Sequence, residues 1–466
     1  MKYIVVGAGP TGLSLTYYLA KGGHEVVLFE KDNQLGGSWN SQWQDNKYFT
    51  ENSPRVLLFS QLTRKFLGDL GLDKQDFANV YGNKLETFFK FIKFGVSNLS
   101  LKDYFIGAYS FIKHHYNKSN QNVQEWLDHN NFSEKFKRAM KITSIVICDR
   151  PDKTNLTDFF GAITDSNSDG IKQMTKPNKW HEILESKLKN KYGVKIIKNT
   201  PIEKVLTDGN RVIGVSTKNK EFEANRVVLA TQSSGLYSIL NQSNELVKNN
   251  WMSYSLMKNW IQNTFYSGFS FQLNFKQKIA FPKKWLYFSF TDWTIIILPV
   301  SDWLESFSKD PEIKTTWSCC IIDMETRSKY LKKTANECLS KKEVLNECLR
   351  QIKSVHKIPR PKKVTTSKGL KKINGIWSSL NTGFSRNINS YLPMQGNIEG
   401  LFALGCFTKP DTPHISHFEL ALMATKNFLK KYQPEIEDLK IKNNNKNKLF
   451  ICFLLVIVLI ILNIKN

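Results

Sequence analysis

The residues best suited to chemistry stand at the start of the chain. Gly7-Ala8-Gly9-Pro10-Thr11-Gly12 follows a short apolar run, Lys2 to Val6, and precedes a helical pattern from Leu13 to Lys21 that Gly22-Gly23 stops. In a strand–turn–helix of this kind the first glycine permits the tight turn. The second lets backbone approach phosphates, and the third lets helix and strand pack closely. The helix start adds free N–H groups and a partial positive charge, so the chemistry is binding of a pyrophosphate. A second strand, Glu25 to Phe29, ends on Glu30, 18 residues beyond Gly12. An acid there accepts hydrogen bonds from a ribose 2′-OH and disfavours a 2′-phosphate. The pattern points to a dinucleotide.

Other elements must hold this turn in place. From Gln61 to Asp149 the pattern is mostly helical and rich in Phe and Tyr, with Phe88 to Phe94 strongly apolar. Trp180 to Leu188 reads as an amphipathic helix leading into the strand Val194 to Ile197. Ile202 to Val205, Arg211 to Ser216 and Glu221 to Leu229 read as three strands, the first two separated by Asp208-Gly209-Asn210. Trp251 to Val300 alternates aromatic and polar residues, as in Trp285 to Phe290 and Trp293 to Leu298. That suits either a sheet lining a large cavity or an ordinary sheet core. Glu325 to Lys353 reads helical, and a strand from Gly400 to Leu404 precedes a last helix from Ser416 to Lys431.

After Glu30 the chain continues Lys31-Asp32-Asn33-Gln34-Leu35-Gly36-Gly37-Ser38-Trp39. A second glycine pair just beyond the ribose acid resembles FAD enzymes of the amine oxidase, phytoene desaturase and UDP-galactopyranose mutase superfamily. Three later segments are similar to the same group. Ile202 to Thr231 resembles its second FAD-contacting segment, with Ile202 at the apolar position whose backbone meets the adenine. Gly400 to Cys406 resembles the late strand and the glycine, Gly405, beside the ribityl chain. His414 to Ala421, which includes Ser416, resembles the following helix start that faces the flavin.

This resemblance implies an α/β fold: a Rossmann-like FAD-binding domain of the GR2 type interleaved with a mixed α+β substrate domain. The FAD-binding parts would be 1–60, 172–250 and 388–433. A mostly helical cap would occupy 61–171, and an aromatic-rich substrate domain 251–387. The implied cofactor is non-covalent FAD, held by Gly7, Gly9, Pro10, Thr11, Gly12, Glu30, Lys31, Gly36, Gly37, Ser38, Trp39, Ile202, Gly405, Cys406 and Ser416. Two departures stand out. Ser38 follows the glycine pair where the family often has Arg, and Arg55 is either a replacement cation or a surface residue. His417 stands where amine oxidases often place an aromatic, so it is either a polar group beside the flavin or a packed, helix-capping histidine.

The implied reaction is hydride removal from a C–N or C–C bond of a small-molecule substrate, with oxygen the simplest final acceptor. A monooxygenase using NADPH or a mutase-like flavoenzyme remains open, as does a non-enzymatic prenyl or lipid binder like the Rab GDP-dissociation inhibitors. The net charge of +25, from 66 basic and 41 acidic residues, comes without any nucleic-acid-binding signature, so no nucleic-acid partner is expected. Seven cysteines show no metal-ligand spacing, and no metal is expected. At the C-terminus a polar, basic linker (434–448) leads to an unbroken apolar run, Leu449 to Leu462. A hydrophobic tail helix at 449–464 is expected. It is read as a single-pass membrane anchor with the body in the cytosol, or else as a buried or interfacial helix; the anchor would suit a lipid-like substrate.

Overall fold

A computed structural model describes residues 1–81, 100–117, 120–147, 150–164, 171–264, 268–280, 287–289, 291–367, 369, 370–373, 375–379, 391–410 and 417–436. Its centre is a five-stranded parallel sheet in the order Leu401–Ala403, Arg226–Leu229, Lys2–Val6, Glu25–Phe29, Lys195–Ile197. These strands are short apolar runs because both faces are covered. Tyr3, Val5, Leu28 and Val228 pack under the helices Pro10–Lys21, Lys179–Asn190 and His417–Tyr432. Ile4, Val27, Phe29 and Leu229 pack against the helix Ser233–Gln242 and a small antiparallel sheet, Lys204–Asp208, Arg211–Ser216 and Glu221–Glu223. The first strand lies between a partner that follows it in sequence and one that comes some 200 residues later. Its C-terminal end is therefore a switch point of the sheet, where ligands of such folds bind.

A second, antiparallel sheet runs in the order Tyr287–Phe288, Ile295–Leu298, Thr315–Ile321, Phe269–Phe275, Lys363–Thr366. Side chains alternate faces along a strand. Phe269, Phe271, Phe275, Trp317 and Ile297 pack with Val344, Cys348 and Ile352 of the helix Lys341–Val355. The other face carries Ser270, Gln272, Asn274, Thr316 and Ser318, all buried. Phe269, Phe271, Phe275, Trp293 and Trp317 thus belong to a core beneath a helix; Trp285 and Phe290 lie outside the described residues.

Between the two sheets in sequence, the helices Leu101–Tyr116, Val123–His129, Glu134–Ile147 and Leu156–Thr164 close around Trp126, Phe132, Phe136 and Phe159. A three-stranded sheet joins Leu57–Leu58, Ile171–Met174 and Phe77–Tyr81.

Three expectations change. The run Glu221 to Leu229 is two strands in different sheets. Asn225 turns the chain, its N–H donating to the Lys2 carbonyl and its Oδ1 accepting from the Lys2 N–H. The helix expected from Glu325 begins only at Lys341, capped by Ser340. Upstream, Asp323 Oδ1 accepts from the N–H groups of Glu325 and Thr326, and Ser328 Oγ from Tyr330 and Leu331, so side chains compete with helical bonds. The membrane anchor is also corrected: among the described residues no helix is long and apolar enough to cross a membrane. The run Leu449 to Leu462 lies outside those residues.

Candidate cofactor and substrate site

Gly7 takes φ +101°, and its N–H donates to the Phe29 carbonyl at 2.8 Å. A Cβ there would come within 2.8 Å of the Ala230 carbonyl oxygen, and one on Gly12 within 1.8 Å of the Gly7 carbonyl oxygen. Gly9 is different: a Cβ on it would meet no protein atom within 4 Å. The protein's own packing therefore requires glycine at 7 and 12 but leaves open space over Gly9. Gly9 is also the N-cap of the helix Pro10–Lys21, with Pro10 in the first turn and no side chain capping the start. Thr11 and Gly12 are buried in that turn. An uncapped helix start beside open space is a ready place for an anion.

Glu30 seals the neighbouring side. Its Oε2 accepts from the Ala8 N–H at 2.8 Å and its Oε1 from the Asp32 N–H at 3.0 Å. Burial pushes the carboxyl above its ordinary range, while these N–H groups pull it back. A carboxylate has about four acceptor positions, so two remain for sugar hydroxyls. Lys31 points to solvent, paired with Asp32 at 2.6 Å.

The second glycine pair lies on the first turn. The Gly36 N–H donates to the Ala8 carbonyl at 2.8 Å, and a Cβ on Gly37 would come within 2.9 Å of Gly9 Cα. Ser38 and Trp39 complete a 3₁₀ turn, and the Trp39 ring packs edge-on against Phe418, 4.9 Å between centres. Arg55 Cζ sits 5.6 Å from the Trp39 ring centre. Arg55 is buried, not a surface residue, and its Nη2 has no hydrogen-bond partner.

The later segments lie on both faces of the sheet. Ile202 is buried in the cluster under the first strand. A Cβ on Gly405 would come within 2.9 Å of the Phe407 ring. Cys406 Sγ donates to the His417 carbonyl at 3.5 Å, which ties the late loop to the helix His417–Tyr432. His417 opens that helix and is half-buried; Ser416 lies outside the described residues.

Sequence reasoning passed over Glu51 and His181. Glu51 is buried, and its Oε1 accepts from Ser318 Oγ of the antiparallel sheet at 2.5 Å. Burial pushes its carboxyl up to about 7, with Arg55 and Ser318 opposing. Burial also draws Arg55 down to about 10. His181 lies against the glycine pair, its Cδ2 2.6 Å from where a Cβ on Gly36 would stand. Its Nε2 is buried without a partner, and burial lowers its pKa to about 4, so the ring is neutral at pH 7. The available signal was Glu51 standing four residues before Arg55 on a strand-like Tyr48-Phe49-Thr50. His181 gave none beyond its place on an amphipathic helix.

Residues 5–69 match the model of the NAD(P)-binding Rossmann-like domain. Over 80 residues the chain is 34% identical to the 4,4′-diapophytoene desaturase (4,4′-diaponeurosporene-forming) of Staphylococcus aureus. That stretch is 17% of this chain and 16% of the desaturase, so the chain spans about a sixth of that relative's length. The fold is also shared. An oxidoreductase from Methanosarcina mazei superposes with a TM-score of 0.61 at 14% identity, covering 92% of this chain and 100% of that one. Wild-type putrescine oxidase bound to putrescine gives a TM-score of 0.61 at 12% identity, over 92% and 99%. The chain thus carries a Rossmann-like dinucleotide-binding segment and shares the fold of these oxidoreductases.

Proposed function

We propose that this protein is an FAD-dependent oxidoreductase that removes a hydride from a C–N or C–C bond of a small substrate, with FAD held non-covalently. The open space over Gly9, in a turn where a Cβ on Gly7 or Gly12 would strike backbone, carries the reading. The residues present fit the group. Thr11 and Gly12 at the uncapped helix start would meet its pyrophosphate, and Glu30 would take ribose hydroxyls. Gly36 and Gly37 would form the second wall, with Ile202, Gly405 and Cys406 along its length. Bound flavin would supply the hydride acceptor. The chain's part is to orient the substrate and to keep water out; Trp39, in the turn that the glycine pair opens, packs edge-on against Phe418.

The test is a visible spectrum of the purified protein, before and after acid precipitation. A flavin spectrum that moves entirely into the supernatant is expected. A well-folded, colourless protein that takes up no added FAD refutes the proposal, and flavin retained in the pellet refutes the non-covalent part.

A further inference from the structure

Arg55 is a guanidinium 8% exposed, and its Nη2 is buried without a hydrogen-bond partner. A buried cation left in this state is costly to the fold unless something outside the chain completes it. Glu51 is the acid whose charge reaches it, yet no ion pair within 4 Å joins them. Among the described residues, Ser318 Oγ donates to Glu51 Oε1 and no side chain donates to Oε2. Glu51 and its neighbour Asn52 are tied to the second sheet: Gln272 Nε2 donates to the Glu51 carbonyl at 3.4 Å, and Ser367 Oγ donates to Asn52 Oδ1 at 2.5 Å. On the opposite side Arg55 reaches Trp39, next to the glycine pair. The pair thus stands where the substrate lobe meets the cofactor loop, and the wall behind it is amide and hydroxyl, not hydrocarbon.

We propose that Glu51 and Arg55 form the substrate-recognition pair, and that the substrate bears an anionic oxygen group, a carboxylate or a phosphate. Arg55 takes this group as a planar fork, and the free oxygen of Glu51 accepts a hydrogen bond from a donor on the same molecule. The position of the pair rests on the flavoenzyme reading. The assignment replaces the lipid-like substrate suggested by the sequence with a compact polar one.

The experiment titrates the full-length protein with benzoate, inorganic phosphate or neutral benzyl alcohol, reading the flavin spectrum and Tm together. Benzoate or phosphate should perturb the spectrum saturably and raise Tm, and whichever acts identifies the anion; benzyl alcohol should do neither. Arg55→Gln should weaken the response about tenfold or more, the scale of a lost charged hydrogen bond, with flavin content unchanged. Arg55→Lys, which keeps the charge without the fork, should fall between. Failure of both anions to act on the wild type overturns the proposal. So does loss of flavin from Arg55→Gln in step with the anion response, which would assign Arg55 to the cofactor. A chain without flavin that keeps an Arg55-dependent rise in Tm would refute the flavoenzyme reading and uphold the anion site.

Discussion

Gly9 and Gly12 belong to one turn but are held to glycine by different neighbours. A Cβ on Gly12 would run into backbone, whereas one on Gly9 would stand in open space. Gly9→Val should therefore leave Tm close to wild type and abolish FAD uptake, read as loss of visible absorbance. Gly12→Ala should cost about 2–3 kcal/mol of stability, since an overpacked backbone must shift, and chemical denaturation measures it. Glu51 and His181 give a pair of opposed pH effects. Glu51 is surrounded by Arg55, Ser318 and Cys320, and its folded pKa of about 7 exceeds the ordinary 4.5. The native state then holds the extra proton between those values, so its contribution to stability falls as pH rises from 4.5 to 7, by about 3 kcal/mol. His181 runs the other way: with a folded pKa of about 4 against 6.5, the unfolded state holds the extra proton, and stability falls as pH drops from 6.5 to 4. Denaturation of Glu51→Gln and wild type at pH 5 and pH 8 isolates the first effect. The variant should gain at pH 8 and change little at pH 5.

At the scale of elements, the late helix is fixed to the N-terminal lobe by buried polar bonds. Glu419 accepts from Ser60 Oγ at 2.5 Å and from Thr63 Oγ1, and Thr425 Oγ1 meets Ser14 Oγ at 2.8 Å. Ser60 is also the N-cap of the helix Gln61–Asp69, its Oγ accepting from the Thr63 N–H at 3.0 Å. Ser60→Ala removes a cap and a donor to a buried carboxylate together, and should cost about 2 kcal/mol in urea unfolding. The elements near the turn were legible because each is a strong local pattern. The strand Lys2–Val6 is a plain apolar run, and a proline opens the helix Pro10–Lys21. Local pattern failed where the partner decides. Glu221 to Leu229 reads as one strand until Asn225 hands the chain from one sheet to another.

Over the whole molecule the described chain closes at Ile436, which packs against the turn after the first helix: a Cβ on Gly22 would come within 2.5 Å of Ile436 Cδ1. A chain shortened to residue 436 should keep the full-length Tm and FAD content. One shortened to residue 430 loses Tyr432, packed on Phe402, and Gln433, bonded to Tyr3 Oη at 2.6 Å, and should melt several degrees lower. Differential scanning calorimetry of the two forms checks both statements. The apolar run at the C-terminus raised the expectation of a membrane anchor, whereas no helix among the described residues is long and apolar enough to cross a membrane.

The sequence by itself determined the glycine turn, the acid that answers it and the parallel sheet on which both sit. These are short-range facts, set by backbone sterics and by apolar runs a few residues long. Only the tertiary structure decided what surrounds them. Glu51 and Arg55 come from one segment and His181 from another, and the burial of all three exists only once the fold has closed around them. The aromatics of the second sheet show the same limit. Their number was plain in the sequence, but which face they occupy depends on the helix that covers them, and that left the polar face toward the site.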